Sequence, residues 1–310
     1  MATFIDIDEK TNEEYFVGVI SSRDILRQLS PGYGTLAEKS TDQIALRLQC
    51  SNVVTRHPET VSPADQLVPA IEKMLRLKID CLPVIGEDRL ACGILTSTDI
   101  MKSFIRISKL SRFTKSKDQS NHRLIDLRTT RMRMSVFDPN VMIDTYFQNV
   151  SDIMTEQLHT LEPTASLEDA MAMIVEKNIR HIPIVYDQGR FLGIISDRDI
   201  LSNLPPNRAI NNFRPSESSH FRSRLFSDDG KTKHERRTEL RYVMTAKAKL
   251  HMVKRNHSLT ETAQLMVDHS INCLPVISGD SRNTKIDGIL TSTDIMRAVS
   301  MLQNLVQKNS

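Results

Sequence analysis

The sequence is poor in the residues that build several common kinds of functional site. Its 310 residues include only ten glycines, and these form no phosphate loop and no dinucleotide-binding fingerprint. The four cysteines, Cys50, Cys81, Cys92 and Cys273, form no CxxC pair. A chain with such sparse cysteines is expected to be a reduced, cytoplasmic protein.

Long apolar runs are also missing. The longest stretch without Asp, Glu, Lys or Arg spans residues 269–279, which is too short to cross a bilayer. The N-terminal residues MATFIDIDEK are acidic and contain no apolar core of a secretory signal. A net charge of +3 does not by itself indicate a nucleic-acid-binding protein. The composition, 39% hydrophobic and 25% charged, is typical of a globular chain, and this length favours two compact units.

An internal repeat is the strongest signal in the sequence. An apolar run with a central glycine precedes a helix start four times, as FVGVISSRDIL (16–26), ACGILTSTDIM (91–101), FLGIISDRDIL (191–201) and DGILTSTDIM (287–296). Each copy contains the pattern G-x-x-[ST]-x-x-D, beginning at Gly18, Gly93, Gly193 and Gly288. Such a repeat indicates that one structural unit recurs along the chain.

A second recurring block lies upstream of the last three copies. Apolar residues at helical spacing predict amphipathic helices, with Leu167, Ala170, Met171 and Ile174 in one of them. Ser166 with Asp169, and Ser258 with Glu261, resemble capping boxes. Proline-containing strands follow, and we expect each proline at a strand start. These strands read CLPVI (81–85), HIPIV (181–185) and CLPVI (273–277).

The complete unit is therefore strand, helix, strand, strand, helix, and the predicted class is α/β (α+β). The second copy resembles the fourth, and the first resembles the third, so we expect two consecutive modules. The predicted modules are 1–105, with copies 1–34 and 50–105, and 149–303, with copies 149–204 and 241–303. The first copy is truncated, since its opening strand and first helix are absent: either the chain is a fragment or the module tolerates a missing wall.

The remaining segments break the repeat. Residues 106–148 form a predicted basic linker, since 106–134 hold nine Lys or Arg against two Asp. Residues 205–240 form a polar insert, and 304–310 a C-terminal tail. These segments are either exposed linkers or patches for a phosphate-rich partner. Phe113 is the one aromatic residue in 106–134, too few for a single-strand groove.

The G-x-x-[ST]-x-x-D element has two interpretations. The hydroxyl and the acid can cap a helix without any ligand. Alternatively, a carboxylate fixed at a helix N-terminus can accept two hydrogen bonds from the vicinal diol of a ribose. A capping box prefers Glu or Gln, whereas all four copies use the shorter Asp, which favours an additional role. Spacing alone leaves both interpretations open.

The repeat resembles the cystathionine-β-synthase (CBS) motif, and its pairing resembles a tandem-CBS (Bateman) module. The segment DIMTEQLHTLEPTASLEDAM (152–171) adds to this resemblance. The resemblance implies four βαββα motifs that bind AMP, ADP, ATP or S-adenosylmethionine as a regulatory ligand in clefts between paired motifs. It implies ribose contacts from Ser21, Asp24, Thr96, Asp99, Ser196, Asp199, Thr291 and Asp294. It implies an adenine wall of Thr60, Val61, Leu82, Thr160, Leu161, Ile182, Met252, Val253 and Leu274.

Departures from the family pattern distinguish the copies. The missing opening strand puts the first adenine pocket in doubt, and Met252 replaces Thr60 and Thr160 in the fourth. Arg23 and Arg198 precede the Asp in the odd copies, where Thr98 and Thr293 stand in the even ones. We therefore expect more phosphate-binding charge at the odd sites. His181 is interpreted as a core histidine, and no zinc site is expected.

The sequence thus predicts a non-catalytic nucleotide sensor that requires no cofactor, metal or membrane. Its modules would form a disc within one chain or in a homodimer, acting on an unknown effector protein. The alternative is an interaction scaffold with degenerate pockets, whose basic linkers bind a phosphate-rich or protein partner. An enzyme is less favoured, because no catalytic constellation has a recognisable context.

Overall fold

A computed structural model describes residues 2–7, 14–29, 48–115, 147–186, 189–203, 239–280 and 283–308. The first copy contains β1 (Ala2–Ile7), β2 (Glu14–Ile20) and α1 (Ser22–Gln28). The second contains α2 (Cys50–Val53), β3 (Thr55–Arg56), α3 (Leu67–Leu77), β4 (Cys81–Ile85), β5 (Ala91–Thr96) and α4 (Ser97–Lys115).

The third copy contains a 3-10 helix (Val150–Asp152), α5 (Leu167–Lys177), β6 (His181–Tyr186), β7 (Arg190–Ser196) and α6 (Asp197–Asn203). The fourth contains 3-10 helices (Leu240–Tyr242, Lys247–Lys249), β8 (Thr245–Ala246), α7 (Leu259–Asp268), β9 (Cys273–Ser278), β10 (Lys285–Thr291) and α8 (Ser292–Lys308). The predicted mixture of helices and strands is confirmed.

The predicted opening strand of each complete copy is reduced to one residue that bridges the next strand in parallel. These bridges are Val61 with Val84, Leu161 with Ile184 and Val253 with Val276. The prolines lie third in β4, β6 and β9, so their expected position at a strand start was wrong. Each proline carbonyl accepts a hydrogen bond from the bridging segment, but proline has no N–H to donate. The parallel ladder therefore stops after one residue.

The first helix of each complete copy lies where its apolar spacing predicted. In α5, Ala170, Met171 and Ile174 are buried, and Ser166 with Asp169 forms the expected capping box. At α7, the Ser258 hydroxyl accepts from the Glu261 N–H at 3.4 Å, without the reciprocal bond. The second predicted capping box is therefore only half formed. Both serines take part in an isolated antiparallel bridge, Ser166 with Glu239 and Ser258 with Asn149.

Each opening segment also leaves its own copy and adds a strand to another one. Strand β3 pairs antiparallel with β2, and β8 pairs antiparallel with β7. Thr155 and Ile289 exchange two backbone hydrogen bonds of 2.9 Å, which attaches the start of the third copy to β10. The second copy therefore covers the first, while the third and fourth cover each other.

The chain divides into two compact units. Unit 1 contains Val17–His57 and His159–Leu250, and unit 2 contains Pro58–Leu158 and His251–Ser310. In unit 1, α1 packs on α5 and α6; in unit 2, α4 packs on α7 and α8 packs on α3 and α4. The units do not follow the consecutive modules 1–105 and 149–303. The apolar helix faces of alternate copies meet, so each unit combines one copy from each half of the chain.

Two terminal helices run beyond the predicted copy boundaries. Helix α4 continues to Lys115, inside the predicted linker 106–148, and α8 continues to Lys308, inside the predicted tail 304–310. The buried residues Phe104 and Leu302 lie on these helices and belong to the core of unit 2. Residues 116–146 and 204–238, which hold most of both predicted linkers, lie outside the described residues.

Candidate functional site

The four G-x-x-[ST]-x-x-D elements adopt one geometry. In each, the backbone N–H and the hydroxyl of the Ser or Thr donate to the same Asp oxygen, Oδ2. The hydroxyl distances are 2.6 Å for Ser21–Asp24, 2.6 Å for Thr96–Asp99, 2.7 Å for Ser196–Asp199 and 2.6 Å for Thr291–Asp294. The backbone distances are 2.8, 3.0, 2.8 and 2.8 Å in the same order.

All four elements are therefore helix caps, so the capping interpretation is realised in every copy. Asp is long enough for this purpose, since Asp169 closes the same box at Ser166 with bonds of 2.9 and 2.7 Å. The argument that a short acid favours a role beyond capping was therefore wrong. Any ligand role must depend on the second carboxylate oxygen, Oδ1.

The second oxygen is covered in the fourth copy and partly covered in the first. Asp294 is only 2% exposed, and its Oδ1 accepts from Thr155 Oγ1 at 3.0 Å and from Arg297 Nη1 at 3.1 Å. Asp24 is 15% exposed, and its Oδ1 lies 3.5 Å from Thr55 Oγ1. In both cases the covering threonine belongs to the strand or bridge added by another copy.

The second oxygen is more open in the other two copies. Asp99 is 45% exposed, and Lys102 Nζ approaches its Oδ1 to 4.0 Å. Among the described residues, the Asp199 side chain bonds only to Ser196 and leaves Oδ1 without a hydrogen bond or ion pair. Asp199 and Asp99 are therefore the two carboxylates that can accept hydrogen bonds from a sugar.

The two arginines of the odd copies differ in exposure. Arg23 is buried, and its Nη1 donates to Asn178 Oδ1 at 2.5 Å. Arg198 is exposed beside Asp199. Thr98 and Thr293 are half-buried. Of the two arginines that directly precede the Asp, Arg198 is therefore the one with an exposed guanidinium.

The residues expected in the adenine walls separate into core and surface positions. Val61, Leu82, Ile182, Val253 and Leu274 are buried in the two hydrophobic cores. Thr60, Leu161 and Met252 are half-buried, and Thr160 is exposed. Thr160 and Leu161 also line an open cleft of about 630 Å³ together with Glu162, Thr164, Ala165, Val185 and Tyr186.

The start of β6 contains a partly buried polar cluster, of which the sequence analysis identified only His181. Burial lowers the pKa of His181 to about 4 and that of Arg180 to about 10. Asp197 is buried and accepts from Ser22 Oγ at 2.5 Å. Asp197 could have been singled out from the sequence, because the other three copies carry a serine at this position: Ser22, Ser97 and Ser292. His181 is half-buried, and its lowered pKa favours the neutral imidazole near neutral pH.

The fourth copy has a related buried group. Burial, followed by the charge of Asp294, raises the pKa of the Cys273 thiol. Across the described residues, no cluster of His, Cys, Asp and Glu is suited to a metal ion. No described helix is long and apolar enough to span a membrane.

Comparison with known proteins identifies three of the copies. The family model for the CBS domain matches residues 50–106, 150–206 and 240–301, more than half of the chain. The truncated first copy lies outside these residues.

Relatives extend the comparison. The chain is 24% identical to CBSX2, a chloroplastic CBS domain-containing protein of Arabidopsis thaliana, over 59% of this chain and 84% of that protein. It is 21% identical to MJ1225 of Methanocaldococcus jannaschii, over 91% of this chain and 82% of that protein. The crystal structure of MJ1225 superposes with a TM-score of 0.63 at 18% identity, covering 96% and 87%. A structure of CBSX2 in complex with AMP is also similar, with a TM-score of 0.35 at 27% identity. The match covers 50% of this chain and 98% of that structure. The chain therefore belongs to the CBS domain family.

Proposed function

We propose that this chain is a non-catalytic regulatory protein that binds an adenosine-containing ligand at its third copy. The observation that carries the proposal is Asp199, which is fixed by a capping box while its Oδ1 stays unengaged. A carboxylate held in this way can accept a hydrogen bond from a ribose hydroxyl without losing the helix cap. The same copy supplies the exposed Arg198, which directly precedes Asp199 in the chain.

The chemistry of these groups fits a nucleotide. Arg198 is a cation suited to phosphate oxygens, and the N-terminus of α6 adds a partial positive charge. A hydrogen bond to an ionised group contributes roughly 1.5–3 kcal/mol, which is about ten- to a hundredfold in affinity. CBSX2, a relative by sequence, was crystallised with AMP, which supports an adenosine compound as the ligand class.

The test compares two aspartates that cap helices in the same way. Wild type, Asp199→Ala and Asp169→Ala are titrated with AMP, ADP, ATP and S-adenosylmethionine by calorimetry and thermal melting. Both variants lose a Ser–Asp capping box of matching geometry, so both should lose the stability that this cap provides. Only Asp199→Ala should lose ligand affinity, by about tenfold or more.

Equal affinity in the two variants would remove Asp199 from the site. A wild-type chain whose melting temperature no adenosine compound raises would leave the four aspartates as helix caps only. That result would favour an interaction scaffold. A ligand present at about a hundred times its dissociation constant should raise the free energy of unfolding by about 2.7 kcal/mol. Melting measurements resolve a change of this size.

The fourth copy supplies a second comparison. Oδ1 of Asp294 is already bonded to Thr155 and Arg297, so a ribose would have to displace both. We expect Asp294→Asn to lower the melting temperature and to leave nucleotide affinity unchanged. A loss of affinity as large as that of Asp199→Ala would show that the fourth copy also binds.

Regulation requires that the ligand favour one of two arrangements of the protein. We propose that the ligand acts through the third copy, since Asp199 lies in the first turn of α6 and α6 packs on α5. Hydrogen exchange with and without ligand should slow in α6. Unchanged exchange at saturating ligand would contradict a regulatory role for this site.

A further inference from the structure

Three of the four repeat glycines lie directly under the backbone of an added segment. A Cβ placed on Gly18 would overlap the carbonyl oxygen of Thr55, and one on Gly193 would overlap that of Thr245. On Gly288 it would lie 2.7 Å from the carbonyl oxygen of Thr155. Glycine is required at these positions because the neighbouring backbone occupies the place of a side chain.

Gly93 is the exception. A Cβ at Gly93 would meet only Val84 Cβ, at 3.9 Å. Cys92 and Gly93 are exposed, and the Ile94 side chain is 40% exposed although it lies in the middle of a strand. Strand β5 therefore carries the glycine of a covered strand but has no covering segment among the described residues.

The backbone of Ile94 faces this open edge. Ile94 lies opposite Pro83 in the β4–β5 pair. The Pro83 carbonyl points away from β5 and accepts a hydrogen bond from the Val61 N–H. In an antiparallel pair, such a residue points its own N–H and C=O away from its partner strand. The equivalent residue in the fourth copy, Ile289, lies opposite Pro275 and uses both groups to bond to Thr155. The edge of β5 thus presents a donor and an acceptor at a place where the fourth copy fills both.

The three covering segments share one pattern. Each has a short helical turn, then an aliphatic residue, then Val or Met, then Thr. The segments end in Val53-Val54-Thr55, Ile153-Met154-Thr155 and Val243-Met244-Thr245. The residue before Thr covers the glycine, with Val54 Cγ2, Met154 Sδ and Met244 Sδ at 2.8, 3.3 and 3.1 Å from the added Cβ.

We propose that the open edge of β5 binds an extended segment of a partner polypeptide with this pattern. The segment would add an antiparallel strand, with its Thr opposite Ile94 and the following residue opposite Gly93, as in β7 and β8. Backbone hydrogen bonds would supply affinity, and the Val or Met side chain above the glycine would supply specificity. A second copy of this chain is a poorer donor, because its three matching segments already cover Gly18, Gly193 and Gly288.

The test uses a labelled peptide with the sequence of residues 147–158, FQNVSDIMTEQL, titrated into the full chain by fluorescence anisotropy. We expect saturable binding with one peptide per chain. The decisive variant is Gly93→Ala, whose methyl group would occupy the place of the peptide's Thr carbonyl. The 3.9 Å contact leaves room for this methyl group in the free chain. Affinity for the peptide should therefore fall at least tenfold while the melting temperature is kept.

Two further measurements give a readout independent of the variant. Peptide binding to the wild-type chain should slow hydrogen exchange at the Ile94 amide, and a peptide with Asp in place of the Met before Thr should bind more weakly. Absence of binding, or equal binding to Gly93→Ala, would overturn the proposal. So would concentration-dependent dimerisation of the wild type that Gly93→Ala abolishes, since the occupant would then be a second copy.

Discussion

At the scale of single residues, the aspartate of the repeated motif lies in a different environment in each of the four copies. The resemblance to the CBS motif implies a ribose contact at each of Asp24, Asp99, Asp199 and Asp294. The four caps are nearly identical, and the difference lies in the second carboxylate oxygen, Oδ1. Thr155 and Arg297 donate hydrogen bonds to this oxygen at Asp294. No described residue does so at Asp199. The candidate site is therefore selected by the groups around the motif rather than by the motif itself.

His181 provides a prediction that depends on pH. Burial lowers its pKa to about 4, so the imidazole stays neutral in the folded state at a pH where the unfolded chain, with the ordinary pKa of 6.5, is protonated. The unfolded state thus binds more protons, and the free energy of unfolding should decrease as the pH falls from about 6.5 towards 4. His181→Cys, which copies Cys81 and Cys273, should reduce this decrease. Urea unfolding at about pH 7 and about pH 5 measures it.

The comparison with His181→Cys separates His181 from the carboxylates that also titrate at low pH. If wild type and variant lost the same free energy of unfolding between the two pH values, the pKa of His181 would not be lowered in the folded state.

At the scale of elements, three of the four repeat glycines lie on strands that pair with a segment from another copy. Strands β3 and β8 and residue Thr155 belong in sequence to one copy and in space to another. The added backbone fills the space above Gly18, Gly193 and Gly288, which explains why these three positions carry no side chain. The sequence shows the glycines, and the structure shows what covers three of them.

Glycine substitutions test this arrangement directly. Gly193→Ala and Gly288→Ala should each lower the free energy of unfolding by about 1–3 kcal/mol, because a methyl group would press on the backbone of Thr245 or Thr155. Gly93→Ala, with the same chemical change, should alter it by less than about 1 kcal/mol and can be stabilising. Urea denaturation of the three variants would show the difference. Equal losses in all three would mean that the added strands are not the reason for the glycines.

At the scale of the whole molecule, the compact units join copies that are distant in sequence. Unit 2 takes helices α3 and α4 from one half of the chain and α7 and α8 from the other. Buried residues on both sides, such as Phe104 and Met266, belong to one core. The first half and the second half are therefore each incomplete without the other.

Separate fragments test this division. Residues 1–115 and residues 147–310, expressed alone, should expose apolar helix faces, bind a hydrophobic dye and unfold without a cooperative urea transition. Mixing them should restore cooperative unfolding and reduce dye binding. If residues 147–310 alone unfolded at the midpoint of the intact chain, the consecutive module 149–303 would be the independent folding unit.

The sequence by itself determined the helix faces, the hairpin strands and the caps, because each depends on residues close together in the chain, and the repeat shows in the sequence directly. Helical periodicity placed α3, α5 and α7, and the Ser or Thr to Asp spacing placed the N-termini of α1, α4, α6 and α8. Only the tertiary structure decided which copy covers which glycine, which copies share a core and which aspartate keeps an open oxygen. These depend on contacts such as Thr155 with Asp294, which lie far apart in the chain and leave no local pattern.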